Sequence, residues 1–348
     1  MPWEKRDSLE PVRWKNGVLE AIDTTRLPGR LVYVRMRTVD QVCSAIRSMK
    51  VRGAPLIGVV GAYGLVLAAM NVRGGDLEQA RSKLRRSADA LILTRPTGVN
   101  LRWAVERVFK ASSRARSVVL LREELRREAD MILREELEAA HKIGRFGAAL
   151  IDDGDTVLTH CNAGSLATAG YGTALAVVRS AVEGGKKVSV IATETRPLLQ
   201  GSRLTAFELA RDGIPVRVIC DSAAAQLMAQ GVVDKVVVGA DRVLGTGHVT
   251  NKIGTLPIAL GAKFYGVPFY VAAPLSTLDL VTDVSRVVIE ERDQREVLSV
   301  GGRRFAPRNV GALNPAFDIT PPELVTGIVT ESGVVRQPLA ENIRAMFG

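Results

Sequence analysis

Two residues of this 348-residue chain stand where chemistry can be done: Cys161 and Asp241. Cys161 closes the β-branched run DTVLTHC (155–161) and Asp241 closes DKVVVGAD (234–241). A cysteine is most often a small buried hydrophobe. At a strand end facing a helix amino terminus its thiolate is favoured, which makes it a usable acid, base or nucleophile. VVVGA places an apolar wall beside the Asp241 carboxylate, and partial desolvation raises such a group toward a proton-transfer role. A helix or turn cap is the ordinary alternative for Asp241. Other polar residues gather at equivalent places: Glu194 and Arg196 after KVSVIAT, Asp221 after VRVIC, Pro274 and Ser276 after FYVAA.

The segment HCNAGSLATAGYGTAL (160–175) reads as strand, small-residue loop, then a helix opening on Gly, Ala, Ser and Thr. Free N–H groups and the helix dipole make that junction an expected anion site, with a tight glycine turn as the equal alternative. It is neither a Gly-Lys-Ser/Thr phosphate loop nor a dinucleotide Gly-x-Gly-x-x-Gly. RGAP (52–55) and TRPTGVNL (94–101) repeat the theme, with Arg52 and Gly53 ahead of Pro55 at a helix first turn, and with Arg95 before Pro96. NKIGT (251–255) offers Asn251 and Lys252, expected at the start of another helix.

The elements that must carry these groups fall into two regimes. After an extended opening (WKNGVLEAI, LVYVRMR), helical periodicity predicts helices at 40–50, 55–72, 76–93, 98–113 and 119–147. From about 153 the pattern changes to β-branched runs at 155–161, 187–194, 216–221, 234–241, 269–274 and 287–292. Helices are expected between them near 165–183, 202–212, 222–230 and 252–265, and the tail past 300 as ordered loop plus a final helix. Strand–helix alternation predicts an α/β fold with a doubly wound parallel sheet. In such sheets ligands bind beyond the carboxyl ends of the strands, the edge that holds Cys161 and Asp241. The division is expected as a mainly helical domain, 1–150, followed by a Rossmann-like domain, 151–348.

Bulk properties narrow the function classes. With 47% hydrophobic and 24% charged residues the chain is globular. Three scattered cysteines (Cys43, Cys161, Cys220) and three lone histidines (His141, His160, His248) offer neither a disulfide framework nor metal-ligand spacing. A reducing, cytoplasmic setting and no metal are therefore expected. The opening MPWEKRDSLE lacks a signal-peptide core. Ala54 to Val72 is 19 residues without a charge, yet its three glycines and proline read as a buried core helix rather than a membrane span. The net charge of +10 is concentrated in residues 1–150, with 28 Lys+Arg against 17 Asp+Glu; the remainder has 19 against 20. Low aromatic content (5%) and Arg–Glu mixing, as in LREELRREADMILREELEAA, point to solvated helix faces, so no nucleic-acid partner is expected.

With these residues in view, the chain resembles the methylthioribose 1-phosphate isomerases, which group with the α, β and δ subunits of the eukaryotic nucleotide-exchange factor of translation initiation. The matching segments are VRGAPLIGVVGAYG (51–64), RPTGVNLRWAV (95–105), LTHCNAGSLATAGYGTAL (158–175), ETRPLLQGSRLTAFEL (194–209), VVVGADRV (236–243), NKIGT (251–255), PFYVAAPLSTLD (268–279), IEER (289–292) and NPAFDITPPELVTGIVTE (314–331). The resemblance implies a homodimer that takes a small sugar phosphate and needs no metal or other cofactor. It implies catalytic roles for Cys161 and Asp241, and substrate binding by Arg52, Gly53, Ala54, Arg95, Gln200, Asn251 and Lys252. The implied reaction turns 5-methylthioribose 1-phosphate into the ketose 5-methylthioribulose 1-phosphate, with the C2 hydrogen moving as proton or as hydride. Departures from the family pattern fall at Ser222 (commonly Asn), His248 (usually Asp), and Leu256 and Pro257 (frequently Tyr and Gly). They leave 5-deoxyribose 1-phosphate or ribose 1,5-bisphosphate as alternative substrates, and a catalytically silent sugar-phosphate or nucleotide sensor as the non-enzyme alternative.

Overall fold

The computed structural model describes residues 9–72, 74 and 76–347; the charged opening MPWEKRDS lies outside them. They divide into two compact units. One holds the chain up to His141 together with Gly164–Gly172; the other holds Lys142–Ala163 and the chain from Thr173 onward.

The first unit opens with an antiparallel sheet of β1 (Val12–Lys15), β2 (Val18–Ile22) and β3 (Tyr33–Met36). Helices α1 (Val39–Arg47), α2 (Ala54–Met70), α3 (Leu77–Ile92) and α4 (Val99–Ala111) follow, then the long α5 (Val118–Ala148). Thr38 caps α1 and Asp76 caps α3 through side-chain oxygens. The uncharged stretch is α2, buried almost end to end. Its glycines form a stripe at three-residue spacing that lets neighbours approach. A Cβ at Gly61 would overlap Leu101 of α4, and one at Gly64 would lie 3.0 Å from Leu91 of α3. Leu56, Leu65 and Leu67 are fully buried, each contributing about 1.5–3 kcal/mol through apolar burial. Among the described residues no helix is long and apolar enough to cross a membrane.

The second unit alternates β4 (Thr156–Thr159), α6 (Ala174–Glu183), β5 (Ser189–Thr193), α7 (Ala206–Arg211), β6 (Val216–Ile219), α8 (Ala224–Ala229) and β7 (Lys235–Val238). Next come β8 (Arg242–Leu244), β9 (Val249–Lys252), α9 (Thr255–Tyr265), β10 (Phe269–Ala272) and β11 (Leu278–Asp279). The chain ends with α10 (Arg295–Leu298), β12 (Ser299–Val300), β13 (Arg303–Arg304), β14 (Phe317–Thr320), β15 (Gly327–Thr330), β16 (Gly333–Arg336) and α11 (Leu339–Ala345). The main sheet has the order β16-β15-β10-β7-β4-β5-β6, parallel throughout except for the β15–β16 hairpin. Alternate strand residues feed two cores, as the period of two requires. Val236, Val238, Phe269 and Val271 pack with residues of α8, α9 and α11. Val237, Tyr270 and Ala272 pack with residues of α6 and α7. The sheet is thus covered on both faces, which explains its nearly continuous apolar strands.

Several expectations are corrected. The run 287–292 makes no strand, only an isolated bridge from Glu291 to Pro315; Val288 is exposed, and β-branched content alone cannot make a strand without a partner edge. The sixth parallel strand is β15, within the tail expected as loop. A second sheet, β11-β8-β9-β14, was not anticipated. Residues 165–173 are not helical beyond the single turn Ser165–Ala167, and α6 begins at Ala174.

Candidate active site

The strand order contains one reversal. From β4 the chain steps outward through β5 and β6; from the adjoining β7 it steps the other way through β10 and β15. Connections diverge there, at the carboxyl ends of β4 and β7, the place where open α/β sheets bind ligands. Cys161 follows β4 by two residues and Asp241 follows β7 by three. The two therefore leave neighbouring parallel strands, which lie about 4.8 Å apart, on the same edge.

Cys161 is buried and has a left-handed backbone, φ 63°. Its N–H donates to Thr195 Oγ1 at 2.9 Å, and its carbonyl accepts from Thr205 Oγ1 at 2.6 Å. Thr195 and Leu199 are left-handed as well, φ 64° and 59°. A β-branched residue rarely adopts that conformation, and such strain persists only where surrounding contacts enforce it. The enforcing group is Asp221 after β6, whose two carboxylate oxygens accept from Thr195 N–H and Arg196 N–H, both at 2.7 Å. Gln200 then leads into a π-helical turn, Gly201–Thr205. Gln200 is buried, and its Oε1 has no hydrogen-bond partner among the described residues. Gly201 is required: a Cβ there would overlap the Thr193 carbonyl oxygen and lie 3.0 Å from Thr195 Oγ1.

Beneath this edge lies a buried ionic network. Asn162 Nδ2 donates to Glu208 Oε1 at 2.9 Å, Arg179 donates to Glu208 Oε2 at 2.9 Å, and Arg179 Nε donates to Asp212 at 2.8 Å. Glu208 is fully buried, so its charge depends on these donors. His160, also fully buried, contacts Thr193 Oγ1 (2.6 Å) through Nδ1 and the Ile253 carbonyl (2.9 Å) through Nε2. Burial pushes its imidazole below the usual histidine range.

Asp241 is half-buried, and its N–H donates to the Thr250 carbonyl at 2.9 Å, fastening the end of β7 to β9. Asn251 and Lys252 are the last residues of β9, both buried; they were expected on a helix start, but α9 begins only at Thr255. Asn251 Nδ2 donates to Thr255 Oγ1 (3.0 Å), and Lys252 Nζ donates to the Ala316 carbonyl (2.8 Å) near the Phe317 ring. Directly opposite Asn251 on β14 is Asp318. Its Oδ2 accepts from Gly254 N–H (2.8 Å) and Leu256 N–H (3.0 Å), while Oδ1 is buried with no partner among the described residues. Burial pushes this carboxyl up to about 6, against the pull of those N–H groups.

In the first unit, Arg52 is buried ahead of α2 and Ala54 is the first residue of that helix. Gly53 has φ 101°, and a Cβ there would overlap Ala167, which excludes other residues. Arg95 is half-buried with Nη1 3.6 Å from Met49 Sδ. The amino ends of α2 and α4 lie side by side: a Cβ at Gly98 would sit 3.5 Å from Ile57 Cδ1, and one at Gly58 3.0 Å from the Asn100 carbonyl.

Cys161, Gln200, Asp241, Asn251 and Lys252 thus share one unit, and Arg52, Gly53, Ala54 and Arg95 share the other. The helix amino terminus expected from about residue 165 is displaced: beyond the single turn Ser165–Ala167 no helix forms until Ala174. Sequence reasoning missed His160, Thr193, Thr195, Thr205, Glu208 and Asp318. The first three sit beside the strand-end residues Cys161, Glu194 and Arg196; Thr205, Glu208 and Asp318 lie inside segments shared with the family but carry no spacing signal of their own. Among the described residues no group of three or more His, Cys, Asp or Glu is arranged to hold a metal.

A six-stranded parallel core in Rossmann order, with a cysteine and an aspartate at its switch point and no dinucleotide glycine fingerprint, defines an α/β protein of the doubly wound class. Within that class the chain belongs to the Initiation factor 2 subunit family, which it matches over residues 50–337. It is 51% identical to the methylthioribose-1-phosphate isomerase of Desulforudis audaxviator, covering 98% of each chain. It is 48% identical to the 5-deoxyribose 1-phosphate isomerase of Moorella thermoacetica, covering 97% of each. Among solved structures it is similar to 5-methylthioribose 1-phosphate isomerase from Pyrococcus horikoshii (40% identity, 98% and 96% coverage, TM-score 0.90). It is also similar to a protein from A. fulgidus described as translation initiation factor eIF-2B, subunit delta (47% identity, 97% and 100% coverage, TM-score 0.85).

Proposed function

We propose that this chain is an aldose–ketose isomerase that converts 5-methylthioribose 1-phosphate to 5-methylthioribulose 1-phosphate, a step of methionine salvage. The observation that supports this most is the pairing of Cys161 with Asp241 on neighbouring strand ends, in a chain about half identical to a named isomerase. A phosphate on the anomeric oxygen blocks spontaneous ring opening, so the enzyme has to open the ring itself. Asp241 gives a proton to the ring oxygen as the C1–ring-oxygen bond breaks; a hydrogen then leaves C2 and arrives at C1, and the C2 hydroxyl becomes the ketone by returning a proton to the Asp241 carboxylate. Product and substrate are isomers, so no co-substrate is consumed. Cys161 stabilises the charged intermediate or carries the C2 proton. Arg52, Gly53, Ala54, Arg95, Gln200, Asn251 and Lys252 bind phosphate and sugar hydroxyls, supplying position and charge.

The relative named for 5-deoxyribose 1-phosphate supports a second reading, the same isomerisation on a substrate without the methylthio group. Retention of both Cys161 and Asp241 weighs against a silent sensor. We read the protein as a cytoplasmic homodimer with no nucleic-acid or membrane partner, which sedimentation at micromolar concentration checks in its oligomeric part. The functional test is incubation of purified protein with 5-methylthioribose 1-phosphate and detection of the C2 ketone by carbon NMR. Absence of product at stoichiometric enzyme overturns the reading.

A further inference from the structure

His160 stands next to Cys161 in the chain. Its ring lies against Gly254, where φ is 103° and a Cβ would come within 3.0 Å of the ring Cε1. No other residue type leaves room for the imidazole there. From this ring a line of buried polar contacts runs back to the Cys161 backbone.

The Ile253 carbonyl, 2.9 Å from Nε2, can only accept, so Nε2 carries the hydrogen. Burial keeps the ring neutral, which leaves Nδ1 as an acceptor. Thr193 Oγ1, at 2.6 Å, therefore donates to Nδ1 and has only lone pairs left for its other neighbour. That neighbour is Thr195 Oγ1, 3.1 Å from Thr193 Oγ1 and 3.3 Å from the Thr193 carbonyl; it donates to Thr193 in either case. Thr195 Oγ1 is left to accept the Cys161 N–H at 2.9 Å. With the ring neutral, His160 Nδ1 and the Cys161 N–H are both matched in this arrangement, whichever Thr193 oxygen receives the Thr195 hydrogen. All of the side chains in it are buried, and Gly201 packs closely against the Thr193 carbonyl.

Both residues at the Cys161 end, Cys161 and Thr195, are non-glycine and left-handed. The bond between them joins two strained backbones, one fastened by Asp221 and the other by Thr205. We infer that Thr195, backed by Thr193 and His160, is a positioning residue that holds Cys161 in its left-handed conformation and so sets the direction of the thiol. This rests on the reading of Cys161 as a catalytic residue.

The test uses Thr195→Val, which keeps shape and removes the acceptor, and Thr195→Ser, which restores it. Turnover of 5-methylthioribose 1-phosphate by the unaltered protein is measured first; its absence defeats the functional reading and leaves the thiol measurement to decide the clamp. In Thr195→Val, kcat is expected to fall about ten- to a hundredfold, the scale of an ångström-sized misplacement, with KM within about twofold. Thr195→Ser is expected to recover most of the loss. Independently of activity, the rate of Cys161 alkylation by iodoacetamide, followed by peptide mass spectrometry with exposed Cys220 as internal control, is expected to change at least about fivefold in Thr195→Val and to return in Thr195→Ser. Unchanged kcat and unchanged Cys161 alkylation in Thr195→Val overturn the inference, as does an equal loss in both variants. Should Thr195→Val not fold, Thr195→Ala, which adds no atom where the hydroxyl stood, takes its place under the same readouts.

Discussion

Asp318→Asn isolates a titration that the fold forces on β14. The Asp318 carboxyl is mostly buried opposite Asn251, with the Gly254 and Leu256 N–H groups on Oδ2 and no partner on the buried Oδ1 among the described residues. Burial outweighs those donors and the nearby Lys252 charge, so the group titrates near 6 rather than at its ordinary 3.8. A carboxyl raised in the folded state binds its proton more tightly folded than unfolded. Its stabilising contribution is full at low pH and is lost as pH rises through about 6. The shift corresponds to about 3 kcal/mol in total, of which about 1.4 kcal/mol is lost between pH 5 and pH 8. Asparagine does not titrate, while the other ionisable groups are common to both proteins. The difference in unfolding free energy, variant minus parent, is therefore expected to rise by about 1.4 kcal/mol from pH 5 to pH 8, a tenfold change in the folding equilibrium. Urea unfolding of both proteins, followed by circular dichroism across that range, reads it directly. A difference that stays level, or falls with pH, would refute the reasoning and place the Asp318 carboxylate in the ordinary range.

Two other substitutions probe the site more directly. Cys161→Ser and Asp241→Asn keep size and remove thiolate and carboxylate; each is expected to lower kcat by at least about a hundredfold with a smaller change in KM, and near-native turnover in either removes that residue from the mechanism. Gly201→Ala drives a Cβ into the Thr193 carbonyl, a backbone atom that cannot swing aside. A loss of about 3 kcal/mol or more is expected, seen as a fall in Tm of at least about 4 °C. Gly29→Ala, whose Cβ would sit 3.5 Å from the Arg26 carbonyl, is the control expected to melt like the parent.

Much of the frame was legible because it depends on local pattern. The uncharged run of α2 read as a core helix, since a glycine stripe suits close packing against α3 and α4. The strands carrying Cys161 and Asp241 read as apolar runs, because a sheet covered on both faces needs them. What stayed hidden depends on partners distant in the chain. β8, β9 and β14 are short and partly polar, RVL, VTNK and FDIT, and only their mutual pairing makes them a sheet. That pairing moved Asn251 and Lys252 from an expected helix start onto a strand. Residues 165–173 are small and look helical, but Tyr171 is left-handed at φ 41° and the helix waits until Ala174. The Thr195–Cys161 bond spans 34 positions and Asn162–Glu208 spans 46, so no spacing rule within one element could have found them.

The central claim is tested most directly by kcat/KM for three compounds measured side by side: 5-methylthioribose 1-phosphate, 5-deoxyribose 1-phosphate and ribose 1,5-bisphosphate. Loss of the methylthio group forfeits roughly 1–3 kcal/mol of apolar burial, so the 5-deoxy compound is expected to be turned over about ten- to two-hundredfold less efficiently. The bisphosphate is expected to be worse again, since a subsite suited to an apolar methylthio group would desolvate its second phosphate. A preference for the methylthio compound in that order is the predicted result; a preference for the bisphosphate, or turnover of none of the three, contradicts the account.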